Sequence, residues 1–382
     1  MSTQPAIAAL ALATVARIRL VPATHSRARR DPFRPAKRTC RRLAAVFSVA
    51  LLALAGCGSN QHSSSTSTGR GQSKAASGQS KAASGQHTSA AGPPPVRLVY
   101  RHLFSLSAPL RDPASALISG GRFVFLGGLD AADSSTAGIV LSNVHRTLRT
   151  FSLPLAQHDA QGAALGGRVY VFGGGSFSEL DHIISFDPAT GAVTTVGQLP
   201  RAQSDVAVAE LGGTAYIVGG YDGTNWLTTI LAWQPGSRVR VVGHLPVGLR
   251  YSAVSAVDGR LLVIGGSTPT VASDAIYSFD PATGAVKQIG RLRHPITHAS
   301  AATLGSTVYL IGGRGDLLNA QTAAVWAIDP QTGAVKAAGR LPQALSDTGT
   351  LTVGNAIVVA GGLDATGGTS SAVGEFVPPG GA

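Results

Sequence analysis

From residue 96 onward one hydrophobic pattern recurs: four residues, mostly β-branched or aromatic, run into a pair of glycines. It reads FVFLGG (123–128), VYVFGG (169–174), AYIVGG (215–220), LLVIGG (261–266), VYLIGG (308–313) and IVVAGG (357–362). The first glycines stand 46, 46, 46, 47 and 49 residues apart. Apolar runs this short, bounded by turn residues and without helical periodicity, predict strands. Copies at a near-constant period predict a repeat architecture whose units bury their faces against one another. Each run follows a two-residue turn such as Gly120-Gly121, Gly166-Gly167 or Asp258-Gly259, where positive φ is tolerated. A variable loop of about 7–12 residues comes next, then a third strand such as AIYSFD (275–280) and a fourth such as AVKQIGRL (285–292). Four strands per unit predict an all-β, six-bladed β-propeller. The last unit lacks a fourth strand, whereas 96–109 resembles the fourth strands that end in GQLP, GHLP and GRLP. The N-terminal strand is therefore expected to close the last blade.

The nonapeptide SFDPATGAV occurs at 185–193 and 278–286, with a near copy, AIDPQTGAV, at 327–335. Asp accepts backbone N–H bonds in a turn, Pro presets φ and Gly suits positive φ. The repeat reads as the hairpin joining third and fourth strands, with no chemistry of its own.

Upstream the pattern changes. Arg41-Arg42 precedes a single apolar run, 43–56 (LAAVFSVALLALAG), which ends at Cys57. A basic segment, a short apolar core and small residues form a secretory signal, and the run is short for a membrane span. Residues 54–57 (LAGC) resemble the bacterial lipoprotein box. That resemblance implies a lipidated Cys57, a membrane anchor and an extracytoplasmic location; an ordinary signal peptide is the alternative. Residues 58–95 are rich in Ser, Gly, Gln and Ala and repeat GQSKAAS, the composition of a flexible tether. The expected domains are a leader at 1–56, the lipidated Cys and tether at 57–95, and the propeller at 96–382. The net charge of +12 resides in leader and tether, and residues 96–382 balance 18 basic against 18 acidic side chains. No excess of positive charge is left in the folded part to hold phosphates, so no nucleic-acid partner is expected.

A double glycine after an apolar strand, then a third strand running into Asp-Pro-x-Thr-Gly, resembles the kelch repeat across 96–382. The chain departs from that pattern where Val193, Val286 and Val335 replace the usual fourth-strand Trp. The resemblance implies a propeller of the galactose-oxidase-like superfamily. The copper site of galactose oxidase needs a Cys-crosslinked Tyr, and with Cys40 cleaved off and Cys57 acylated that cofactor cannot form. No cofactor and no metal are expected. N-acetylneuraminate epimerase is a secreted kelch propeller, so a sugar mutarotase or epimerase stands as the alternative to a binding module. No catalytic residues carry over.

Glycine turns and DPxTG turns share one face of such a propeller, and the longer loops collect on the other. Counting back fourteen residues from each first glycine gives Pro113, Asp159, Asp205, Tyr251, His298 and Asp347, preceded by Asp112, His158, Ser204, Arg250, Thr297 and Ser346. These positions begin the innermost strands and are expected to ring the channel mouth. Carboxylates, a His and a Tyr converging there could bind a cation or polyol or move protons. Alternatively, each satisfies backbone groups between blades. The His residues lack metal-ligand spacing. A second candidate is the loop Tyr221, Asp222, Asn225 and Trp226, which suits sugar stacking, a protein hot spot, or packing against the next blade. Trp233 and Trp326 read as blade packing, and Arg314-Gly315-Asp316 as a loop. Nucleophile and phosphate-loop motifs are absent. The reading is a binding or scaffold module for a protein or glycan at the loop-rich face.

Overall fold

The computed structural model describes residues 97–380. The leader, Cys57 and the tether fall outside the described residues. The described residues are all β. They form six four-stranded antiparallel sheets arranged as blades around an axis, plus one two-stranded ribbon. Blade 2 is representative, with strands Gln161–Leu165, Arg168–Phe172, His182–Phe186 and Val193–Gln198 in spatial order.

Blade 6 combines Gly349–Val353, Ala356–Ala360 and Ala372–Val377 with Val99–Ser105 from the other end of the chain. Val99 pairs with Val377 and Ser105 with Ala372, so the expected closure by the N-terminal strand is present. Apolar packing seals the same seam: Phe123 and Phe125 of blade 1 share a buried cluster with Leu351, Val358 and Val373 of blade 6.

The second strand of each blade is buried on both faces because a neighbouring blade covers each side; Val169, Val171 and Phe172 have no exposed surface. First strands place small residues such as Ala114, Ala163, Ala207 and Ala253 nearest the axis, where the blades converge. Trp233 is buried edge-on against Tyr170 and Phe172 of blade 2, which is blade packing.

The double glycines are staples between blades. The second glycine donates its N–H to a carbonyl that leads into the next blade: Gly128 to Gln157, Gly174 to Gln203, Gly220 to Leu249, Gly266 to Ile296, Gly313 to Leu345 and Gly362 to Leu110, all at 2.8–2.9 Å. The first glycine lies against that same carbonyl, so a Cβ there would collide with it, and its φ of 59–66° disfavours a side chain as well. Close backbone approach between blades therefore explains why the pair recurs at one position.

The DPxTG turns are hairpins, as expected. Asp187 accepts the Ala189 N–H at 2.9 Å on Oδ1, its carbonyl accepts the Gly191 N–H at 2.8 Å, and Gly191 has φ 84°.

Candidate functional site at the channel mouth

The site starts with an unusual backbone. Asp112, Asp159, Asp205, Tyr251, His298 and Asp347 all have φ between 50° and 58°. This left-handed region costs an ordinary residue about 1 kcal/mol, and Asp is among the residues that tolerate it best. The conformation turns each N–H toward the preceding blade. Asp205 donates to the Asp159 carbonyl (2.9 Å), Tyr251 to Asp205 (3.1 Å), His298 to Tyr251 (3.2 Å), Asp347 to His298 (2.9 Å) and Asp112 to Asp347 (2.6 Å). The sixth joint uses a side chain: the Asp159 N–H donates to Asp112 Oδ2 at 3.0 Å. A closed circle of hydrogen bonds thus surrounds the axis.

Blade 1 corrects the count made on the sequence. Its member of the ring is Asp112, one residue earlier than Pro113. Proline holds φ near −65° and has no N–H, so it can neither enter the left-handed region nor join the circle. The neighbouring set shifts likewise to Arg111, His158, Ser204, Arg250, Thr297 and Ser346, each bridged to the residue that follows a double glycine.

The ring side chains line a cavity of about 120 Å³ at the channel mouth. Four of the six are aspartates, Asp205 buried and Asp112, Asp159 and Asp347 half-buried. Burial pushes the Asp112 carboxyl well above the usual range, reinforced by the Asp159 charge. Burial, then Asp159, raises Asp205 to about 7, opposed by the Arg250 guanidinium. Burial raises Asp347 to about 6, against the hydrogen bond from Ser346 Oγ (2.6 Å). Burial also acts on Asp159, yet the hydrogen bond shared with Asp112 and the His158 imidazole hold it below the usual carboxylate value. Asp159 therefore sits between two carboxyls shifted in the direction opposite to its own.

His298 stacks on Tyr251 with centroids 3.7 Å apart. Arg314 Nη2 donates to His298 Nε2 at 3.1 Å, which leaves the ring proton on Nδ1, donated to Thr297 Oγ1 at 3.0 Å. Burial, then the Arg314 charge, lowers this imidazole to about 3, so it is neutral. The Tyr251 phenol is pushed above its ordinary range by burial and by Asp159, whose Oδ2 accepts its hydroxyl at 3.4 Å.

The second candidate, the Tyr221–Trp226 loop, joins the first through Arg250. Its guanidinium ion-pairs with Asp205 and lies over Tyr221 (4.2 Å), Tyr251 (5.1 Å) and Trp226 (5.3 Å). Tyr221 and Trp226 meet edge to face at 5.2 Å. The aromatic pair thus acts as a clamp on the arginine that faces Asp205. Asp222 is engaged within its loop, accepting the Asn225 N–H (2.8 Å) and the Thr224 N–H (3.2 Å) and pairing with Arg201 at 2.8 Å. Asn225 is exposed beside it and donates Nδ2 to Asp222 Oδ1 at 3.3 Å.

Arg314 and Asp316 are likewise employed in the fold, Arg314 on His298 and Asp316 accepting the Ala272 N–H. Sequence reasoning did not single out Arg111, which pairs with Asp133, or Arg314 as parts of this mouth. The bridging position just after each double glycine was the signal available for Arg314. Among the described residues no group of three or more His, Cys, Asp and Glu is arranged to hold a metal ion.

Sheet order and the circle of strand-leading residues define the class: a six-bladed β-propeller with a polar site at one channel mouth. Residues 248–292, the fourth blade, match the Kelch motif. Of solved structures, that of YjhT is similar with a TM-score of 0.61 and 15% identity, over 71% of this chain and 96% of that one. At that identity the likeness is one of fold. No curated protein matches the chain.

Proposed function

We propose that this protein is a binding module whose channel mouth seats the polar end group of a glycan, held outside the cytoplasm by a lipidated Cys57. The observation that carries the reading is the convergence of six strand-leading side chains on one open cavity. There, carboxyls held above their ordinary range by burial, one held below it, and a phenol face one another, and the surrounding backbone is locked in a hydrogen-bonded circle. Preorganised donors and acceptors of this kind suit hydroxyl groups. The volume agrees with the size of one such group, since a cavity of about 150 Å³ admits a benzene-sized ring. A signal-like run ending in LAGC and a tether-like 58–95 support placing the domain away from a membrane surface.

Binding of the full-length chain to a glycan panel tests this. Retained glycans are expected to be lost on Asp159→Asn and to remain on Glu210→Gln at the opposite face. A panel without retained glycans, or retention that ignores Asp159→Asn, overturns the reading. For the anchor, Cys57→Ser is expected to move the protein from the membrane fraction to the soluble one.

One observation favours a second reading, a sugar mutarotase or epimerase: Asp159, held below the usual carboxylate value, shares one cavity with Asp112 and Asp205, held above it, as an acid–base couple would. Accelerated mutarotation that vanishes with Asp159→Asn would establish it.

A further inference from the structure

We infer that the loop-rich face docks on the surface of a lipid bilayer, with apolar loop tips inserted around the channel mouth. The inference rests on the anchored reading above and adds which face meets the membrane. Phe177 is fully exposed, and Leu318, Leu317 and Val271 are 75%, 68% and 56% exposed. These are the four most exposed large hydrophobic side chains among the described residues. All four stand on loops that join second to third strands, in blades 2, 4 and 5, at the end where the channel mouth opens. Val241, next at 52%, lies on an outer strand instead. Single exposed hydrophobics are ordinary, but their concentration at one end marks a surface that meets something apolar.

The tips are held outward by their own turns. The Ser176 N–H donates to the Ser178 carbonyl at 3.0 Å, across Phe177. The Thr268 N–H and hydroxyl both donate to the Val271 carbonyl, at 2.9 and 2.8 Å. The Ala320 N–H donates to the Leu317 carbonyl (3.2 Å) and Gln321 Nε2 to the Leu318 carbonyl (2.8 Å). The two carboxylates of these loops turn sideways. Asp316 accepts the Ala272 N–H of the neighbouring loop, and the Glu179 carboxylate borders Gly223 of the blade 3 loop. No Lys or Arg occurs in 175–179, 267–272 or 315–320, so the attraction is apolar and not electrostatic.

A bilayer suits this layout better than a protein partner. A protein interface centres on a contiguous apolar core, whereas these tips stand on three blades about a polar mouth. A fluid interface admits separate tips, each contributing as its side chain leaves water. The chain ahead of the domain supplies the reach. It enters at the turn end of blade 6, where Val99 pairs with Val377. Residues 58–95, 38 in number, have a Ser/Gly-rich composition. A flexible chain of that length spans roughly 35 Å, taking about 5–6 Å times the square root of the residue number. A five-residue strand is only about 17 Å tall, so the mouth end can turn to the membrane that holds Cys57. Insertion is then intramolecular, and weak tips suffice. Docked this way, the mouth opens onto the head-group layer.

The test reconstitutes the full-length chain into phosphatidylcholine vesicles, with and without brominated acyl chains, and reads tryptophan emission. Phe177→Trp puts a reporter on a tip, and Val241→Trp puts one on an exposed outer strand. With the unaltered protein's signal subtracted, the reporter at 177 is expected to lose emission to bromine and the one at 241 to keep it. Adding Leu317→Ser and Leu318→Ser, which removes two tips, is expected to lower the docking equilibrium read at 177 by roughly tenfold or more. A reporter at 177 that is quenched no more than the one at 241, or whose quenching ignores the two serines, overturns the docking. If docking fails while Cys57→Ser still releases the protein from the membrane fraction, this inference alone falls. If 177 is quenched while Cys57→Ser leaves the protein in the membrane fraction, docking stands and the lipid anchor falls.

Discussion

Two sets of aspartates recur around this propeller, one at each end of the blades, and they live under opposite conditions. Asp187, Asp280 and Asp329 open the DPxTG turns, where each is served by N–H groups two or three residues away. The bond from the Ala189 N–H holds the Asp187 carboxyl below its ordinary value. Asp112, Asp205 and Asp347 sit at the channel mouth, where burial holds them above it. Backbone partners there lie a whole blade away, as with Asp205 on Asp159 and Asp347 on His298. The turn end is built locally and is electrostatically at ease. The mouth end is built between blades and is electrostatically costly for three of its four aspartates.

The sharpest way to break this comparison is to damage one glycine at each end. Gly361 lies beside the Leu110 carbonyl that bonds Gly362, so Gly361→Ala drives a Cβ into the seam between blades 6 and 1. We expect a loss on the order of 4 kcal/mol or more, or failure to fold. Gly213, in a hairpin turn at the other end, has φ 77° and nothing within 4 Å of an added Cβ. Gly213→Ala should cost only the left-handed backbone penalty, about 1 kcal/mol. Urea unfolding of both variants decides it. Similar losses at the two ends would show that blade-to-blade contact does not distinguish them.

Next in size is the carboxyl cost itself. A group whose folded pKa is raised binds more protons folded than unfolded, so it lowers stability as pH rises from the unfolded value through the folded one. For Asp347 that window runs from the ordinary 3.8 to about 6. Asn keeps the left-handed backbone and a polar side chain but has no charge to bury. Asp347→Asn should therefore stabilise the protein at pH 8 by roughly 1–3 kcal/mol, at 1.36 kcal/mol for each pKa unit, and do nothing at pH 3.5. Unfolding midpoints at the two pH values measure it. A destabilised variant at pH 8 would mean that the Asp347 charge is favourable where it stands.

The sequence made the propeller legible because its signals are local and repeated. Strand patterns, turn glycines and the 46-residue rhythm each report on a few neighbouring residues. The missing fourth strand of the last unit even exposed the closure by Val99–Ser105. The ring was also legible, apart from the one-residue slip at Pro113, where proline's fixed φ pointed to Asp112. Side-chain traffic across blades was hidden. Nothing in the spacing says that Arg250 leaves its own blade to lie between Asp205 and Tyr221, because that contact depends on how blades converge. The same convergence merged two candidate sites that the sequence had kept apart.

The smallest effect belongs to the turn end. Asp187 is held low chiefly by the Ala189 N–H, with Thr190 and Arg168 adding to it. A depressed carboxyl contributes stability that is present above its unfolded pKa and is lost as pH falls through the folded one. Asp187→Asn should therefore lower the urea midpoint slightly at pH 7 and leave it unchanged near pH 2, where the native carboxyl is also neutral. Asn retains one oxygen for the turn N–H groups, so the change should stay well below that of Asp347→Asn and have the opposite sign. The two variants measured side by side, across one pH series, test whether a repeated aspartate takes its energetics from its residue type or from the end of the blade it occupies. Shifts of the same sign would erase the distinction; opposite signs would establish that Asp187 and Asp347 take their energetics from the ends of the blades they occupy.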